Sequence, residues 1–257
     1  MIRYNNKVIK VVWLDLDDTV IDFQTNSRNA LQRLRDREEP IQRLFPTAGM
    51  WIDTYENHNR ELWRLYGAGE ISRSYLRMER FRRPLADAGM TGEDAIALSE
   101  RYDTDYLDIL ATERQLVDGS IDLLRYLKKN GVVTGCLSNG FSDVQFRKLR
   151  NCGLEEWFDI VVLSDDIGIN KPDRRLFSYA MERSGILSPT AHLMIGDNAV
   201  SDIGGALGAG WEAIHYMATA DAETHPECSV RVGCLQEIIH ILDNSRQSAE
   251  STQKKWP

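Results

Sequence analysis

The sequence predicts an α/β fold: a parallel sheet covered by helices, interrupted after its first strand by an all-helical insertion. Three observations carry this. A β-branched apolar run at residues 8–14 stands alone near the N-terminus. From Asp22 to Gln115 the apolar residues recur at helical spacing, with no alternating stretch. From Asp118 onward, strand-like and helix-like segments alternate, which is the pattern of a parallel sheet with crossover helices.

Taken in order, residues 8–14 are broken only by Lys10 and read as a strand buried on both faces, ending at Asp15. In the insertion, Trp51, Tyr55, His58 and Leu62, then Leu107, Leu110 and Ala111, mark packed helical faces. Gly67, Gly69, Pro84, Gly89 and Gly92 cut the segment into roughly four helices. A helix over 120–129 stops at Asn130-Gly131, a C-capping pair. Strands are expected over 132–137, 160–163, 193–195 and 211–215. Helices are expected over 143–151, over 174–184 with Asp173 as N-cap, over 201–209 and over 235–242. The domains are therefore a discontinuous Rossmann-like core, 1–21 and 116–243, a helical insertion, 22–115, and a polar tail, 244–257.

At 257 residues, with 42% hydrophobic and 27% charged, the chain has the composition of a self-sufficient globular protein. Its net charge of −8 disfavours a nucleic-acid polymer, which needs a basic face to neutralise many phosphates. A small phosphorylated substrate needs only one local positive site. No stretch approaches the roughly 20 apolar residues of a membrane span. Cys136, Cys152, Cys228 and Cys234 match no zinc spacing. With no secretory signal, a cytoplasmic protein is expected, as a monomer or homodimer.

Ligands of open parallel sheets bind beyond the carboxyl ends of the strands. Those ends carry Asp15-Leu16-Asp17-Asp18-Thr19, Ser138-Asn139-Gly140, Asn170-Lys171-Pro172 and Gly196-Asp197-Asn198, with Asp202 one turn later. Carboxylates that converge repel unless a cation lies between them. The donors are hard oxygens, so Mg2+ is the expected cofactor, with Asp15 and Asp197 as its best carboxylate ligands. An aspartate can form a covalent acyl-phosphate, which water then hydrolyses. Asp17 can serve as general acid and then general base. Ser138, with the N–H groups of Asn139 and Gly140, lies where a phosphate is favourably held. Lys171 supplies positive charge to the transition state.

These four motifs, in this order, resemble those of the haloacid dehalogenase superfamily. The resemblance covers roughly residues 8–22 and 116–240, and the insertion resembles that family's type 1 cap. It implies Asp15 as nucleophile and Asp17 as acid/base. It also implies that Asp17 binds Mg2+ through its backbone carbonyl, that Asp197 completes the metal site, and that Asp202 is a metal-site orienter. Asp18, Ser138-Asn139-Gly140-Phe141, the stretch 61–66, Gly69-Glu70-Ile71, Arg80-Phe81 and the stretch 163–168 are similar to the bacterial pyrimidine 5′-nucleotidases. The implied activity is a Mg2+-dependent nucleoside 5′-monophosphate phosphatase. The alternatives are a sugar-phosphate or phosphoglycolate phosphatase or phosphomutase, then a metal-free haloacid dehalogenase or a phospho-accepting signalling module. Within the insertion, Arg73, Arg77 and Arg80 fall on one helical face, expected to be solvated and paired with nearby acids.

Overall fold

The computed structural model describes residues 2–217 and 223–253, with side chains described as far as residue 244. The chain forms two compact units, residues 1–23 with 115–257, and residues 24–114.

The first unit opens with a hairpin, β1 (Ile2–Tyr4) antiparallel to β2 (Lys7–Ile9). Asn5 and Asn6 turn it with φ of 48° and 62°, the left-handed region that asparagine tolerates best among non-glycine residues. Tyr4 Oη donates to the Ala213 carbonyl at 3.2 Å, which pins the hairpin to the sheet. The run 8–14 is thus two strands, parted at exposed Lys10, with β3 (Val11–Leu14) entering the main sheet. The hairpin was not anticipated, because a strand of three residues carries almost no periodicity.

The sheet contains β3, β4 (Val133–Ser138), β5 (Ile160–Leu163), β6 (His192–Gly196), β7 (Glu212–Tyr216) and β8 (Arg231–Val232), all parallel. Their order is β5-β4-β3-β6-β7-β8. The chain builds outward on one side of β3 and then crosses to the other, so the topological switch lies between β3 and β6. Asp15 and Asp197 follow those two strands. Side chains alternate across β3: Val12 and Leu14 join a core with Leu123, Leu127, Leu235 and Ile238, while Val11 and Trp13 face Phe177, Ile203 and Trp211.

Helices α6 (Ser120–Lys129), α7 (Ser142–Asn151) and α8 (Arg174–Ser184) fall where the periodicity places them, and Asp173 caps α8 by accepting from Arg175 N–H at 2.9 Å. The expected helix at 201–209 is instead a π-helical turn, Ala199–Gly204, followed by the short α9 (Gly205–Gly208). The closing helix α10 (Leu235–Gln253) runs on through the stretch 244–253 read from sequence as tail, while residues 254–257 lie outside the described residues. Extending a formed helix through Ser, Glu and Gln costs little once it is nucleated. Among the described residues, no helix is long and apolar enough to cross a membrane.

Under the sheet, Trp13, His192 and Trp211 stack. Trp13 Nε1–H donates to His192 Nδ1 at 3.0 Å, and His192 Nε2–H donates to the Ile186 carbonyl at 2.7 Å. The imidazole is therefore held neutral, and burial pushes its pKa below the normal range. The unfolded chain binds this proton more readily, so stability from His192 is complete above about pH 6.5 and is lost as pH falls below it. The melting temperature is expected to drop on acidification below that value, and less steeply in His192→Gln. Equal slopes in the two proteins would remove His192 as the cause.

The second unit contains α1 (Phe23–Arg37) from Gln24 onward, α2 (Glu39–Leu44), α3 (Ala48–Gly67), α4 (Arg73–Asp87) and α5 (Glu93–Leu110). Trp51, Tyr55, Phe81 and Tyr106 form its aromatic core, with neighbouring ring centroids 4.9 to 6.2 Å apart. His58 lies at the margin, bonded to Asp87 Oδ2 at 2.7 Å. The arginine face pairs with an acid as expected, and Arg73 and Arg77 stay partly exposed, but Arg80 is not solvated. Arg80 is buried, ion-paired with Asp103 and stacked on Tyr106, and Arg77 donates to the same carboxylate at 2.7 Å. Sequence shows the charges of that face but not that Asp103 of α5 neutralises them.

Candidate active site

Asp15 extends β3 past its last paired residue, and its N–H donates to the Ile195 carbonyl of β6 at 3.0 Å. The loop after it is tightly turned. Val20 and Ile21 N–H both return to the Leu16 carbonyl, and Asp18 N–H donates to Ile21 at 2.8 Å. Asp18 adopts φ of 56°, a conformation aspartate accepts more readily than a branched side chain.

Lys171 reaches this point from the loop after β5. Its Nζ lies 2.6 Å from Asp15 Oδ1 and 2.6 Å from Asp202 Oδ1, and donates to the Leu137 carbonyl at 2.7 Å. All three ammonium protons are thereby used. Asn139 holds the lysine's backbone at both ends: its Oδ1 accepts from Lys171 N–H at 2.7 Å, and its Nδ2 donates to the Lys171 carbonyl at 3.0 Å. Burial alone would lower the Lys171 pKa, but the carboxylates of Asp15 and Asp202 overcome it and hold the group above the usual lysine range.

Asp197 follows β6. Its Oδ1 accepts from Thr19 Oγ1 at 3.4 Å, and its carbonyl accepts from His215 Nε2–H at 2.8 Å. Asp202 is 1% exposed, and its second oxygen accepts from Asn198 N–H at 3.0 Å. With Asn198 Oδ1 accepting from Val200 and Ser201 N–H, this anchors the π-helical turn. Gly196 makes room for it: a Cβ there would lie 2.3 Å from Asp202 Oδ2.

Oxygens of Asp15, Asp197 and Asp202 all lie within 4.8 Å of one another. Burial, then the charges of Asp202, Asp15 and Asp18, push the Asp197 carboxyl up to about 9. Burial likewise raises Asp15, against the opposing pull of Lys171. Three carboxylates around one ammonium are short of positive charge, and every donor is a hard oxygen. A divalent, oxygen-preferring cation such as Mg2+ fits that donor set.

Asp17 stands apart from the acidic group. Lys148 Nζ lies 2.8 and 2.9 Å from its two oxygens, and Gln145 Nε2 donates to Oδ2 at 2.9 Å. Ser138 Oγ accepts from Gln145 Nε2 at 2.8 Å and from Gly140 N–H at 3.1 Å. The Gly140 N–H expected to face a phosphate is therefore directed at Ser138. Of the residues singled out in the sequence, Asp15, Lys171, Asp197 and Asp202 come together directly. Asn139 acts on Lys171, while Asp17 and Ser138 meet through Gln145. Gln145, Lys148 and His215 were not anticipated.

Comparison with known proteins matches residues 9–210 to the family described as haloacid dehalogenase-like hydrolase. YfnB of Bacillus subtilis (strain 168), a HAD-hydrolase by name, is 30% identical over 240 residues, covering 92% of this chain and 97% of its own. The crystal structure of YfnB bound to magnesium superposes with a TM-score of 0.80 at 29% identity, covering 92% of this chain and 100% of that one. The pyrimidine 5′-nucleotidase YjjG of Escherichia coli (strain K12) is 29% identical over 209 residues, 80% of this chain and 86% of its own. A 2-haloacid dehalogenase structure from Pseudomonas syringae pv. tomato DC3000 superposes with a TM-score of 0.62 at 26% identity, covering 92% of this chain and 99% of that one.

Proposed function

This chain belongs to the haloacid dehalogenase-like hydrolases, and from that premise we propose that it is a Mg2+-dependent phosphatase of small phosphomonoesters, acting on nucleoside 5′-monophosphates. One observation carries the reading: Lys171 Nζ sits 2.6 Å from both Asp15 and Asp202, within a group whose Asp15, Asp197 and Asp202 oxygens cluster inside 4.8 Å. This is a nucleophilic carboxylate beside a fixed cation and a metal-binding donor set.

Asp15 and Asp197, with Asp202 behind them, are the side chains that would hold Mg2+, and the Asp17 carbonyl would add a backbone donor. The bound ion would supply charge neutralisation between the Asp15 carboxylate and an incoming phosphate dianion. Asp15 attacks phosphorus, and the ester oxygen departs with a proton from Asp17, leaving an aspartyl-phosphate. Water then attacks phosphorus as Asp17 takes its proton, which releases inorganic phosphate and restores Asp15. Lys171 holds Asp15 in place and offers its charge to the equatorial oxygens. Ser138 stands beside this path as a hydroxyl for the phosphate.

Similarity to YjjG, a pyrimidine 5′-nucleotidase, supports a nucleotide substrate. The Asp17 acid/base and the acidic group at Asp197 favour phosphate chemistry over haloacid hydrolysis, which needs neither. A panel of nucleoside monophosphates and sugar phosphates, assayed with Mg2+, tests this. The highest kcat/KM is expected for a pyrimidine nucleoside 5′-monophosphate, with activity lost in EDTA. A flat profile would end the nucleotide assignment, and haloacid turnover that survives EDTA would end the phosphatase reading.

A further inference from the structure

Asp17 is gripped from one direction. Lys148 and Gln145 lie three positions apart on α7, so they share one face of the helix. Lys148 contacts both Asp17 oxygens, and Gln145 contacts Oδ2 while also holding Ser138 Oγ. Both side chains are buried. Lys148 is steadied on its other flank by the Phe23 ring, 4.4 Å from Nζ to centroid.

The arrangement is specific and costs stability. The Gln145 amide has only one usable orientation, because turning it over would set Oε1 against a carboxylate. In the orientation it holds, buried Oε1 has no partner among the described residues. An unpaired buried acceptor is an expense that folding alone does not explain. Gly140 is required for the same seat: a Cβ there would lie 2.2 Å from Gln145 Nε2. The loop, the helix and an unpaired oxygen are all arranged to set one N–H and one ammonium against Asp17.

We propose that Gln145 and Lys148 are positioning residues for the acid/base, fixing the Asp17 carboxylate where proton exchange with the leaving oxygen and the attacking water is set up. This rests on the phosphatase reading above. Its signature is selectivity by leaving group. Proton transfer matters most when a poor leaving group, such as a nucleoside 5′-oxygen, must depart, and least for p-nitrophenolate.

The experiment compares kcat/KM for p-nitrophenyl phosphate and a nucleoside 5′-monophosphate, in Mg2+, for wild type, Gln145→Leu, Lys148→Met, Lys148→Arg and Asp17→Asn. For Gln145→Leu and Lys148→Met, a loss of about 10²-fold is expected on the nucleotide and under about fivefold on the aryl ester. Asp17→Asn should show the same bias, more strongly, and Lys148→Arg should recover part of the loss. Equal losses on both substrates, or none, in an active enzyme would overturn the inference alone. A wild type inert on both esters would instead overturn the phosphatase reading beneath it.

Discussion

Asp15→Asn is expected to lower turnover of any phosphomonoester by at least about 10⁴-fold, the scale seen when a covalent nucleophile is removed. The asparagine keeps the shape and one acceptor oxygen, so Lys171 retains a partner at that position and its full contact with Asp202. The fold should therefore persist. The exchange removes a carboxyl whose ionised form burial disfavours and which Asp202 repels, against the loss of its attraction to Lys171. These terms oppose each other, so the melting temperature should move little, and a rise would be the familiar trade of stability against function. Acid-quenched wild type, incubated with labelled substrate, should carry phosphate on the protein, and the variant none. A variant that keeps activity within about tenfold of wild type would show that another group attacks phosphorus.

The motifs that support this were legible because they sit at strand ends, where chain order and spatial order agree. Val11–Leu14 delivers Asp15, and His192–Gly196 delivers Asp197 on the neighbouring strand. Lys171 was legible for its place beyond the third predicted strand. What escaped was polar material inside helices. Gln145 and Lys148 lie within the expected helix 143–151, where nothing in local spacing tells a polar residue turned inward from one turned out. Their partner Asp17 lies 128 and 131 positions away. His215 escaped as the inward end of an apolar strand. The π-helical turn escaped for a related reason: its cause is Asp202, held by Lys171 and Asn198 N–H, and no periodicity encodes a tertiary anchor.

Lys171→Met should produce the largest loss of stability among the site variants. The side chain is 2% exposed and its ammonium touches two carboxylates of which Asp202 is the more deeply buried. Deleting one partner of a buried ion pair leaves an uncompensated charge, at a cost of about 3–5 kcal/mol. At roughly 2–4 °C per kcal/mol for a domain of this class, the melting temperature of the core unit should fall by about 6–20 °C. Lys148→Met should cost less, because Asp17 keeps 27% of its side chain in solvent and can rehydrate. Activity of Lys171→Met should fall by about 10³-fold as well, through the lost transition-state charge. The two effects separate on adding Mg2+. An ion that binds the folded state stabilises it by mass action, and with the ammonium gone it becomes the main counter-charge to Asp15, Asp197 and Asp202. The variant should therefore gain more melting temperature from millimolar Mg2+ than wild type does, while its activity stays low. A variant that melts within 2 °C of wild type, and gains no more from Mg2+, would mean that these carboxylates are not held together by charge.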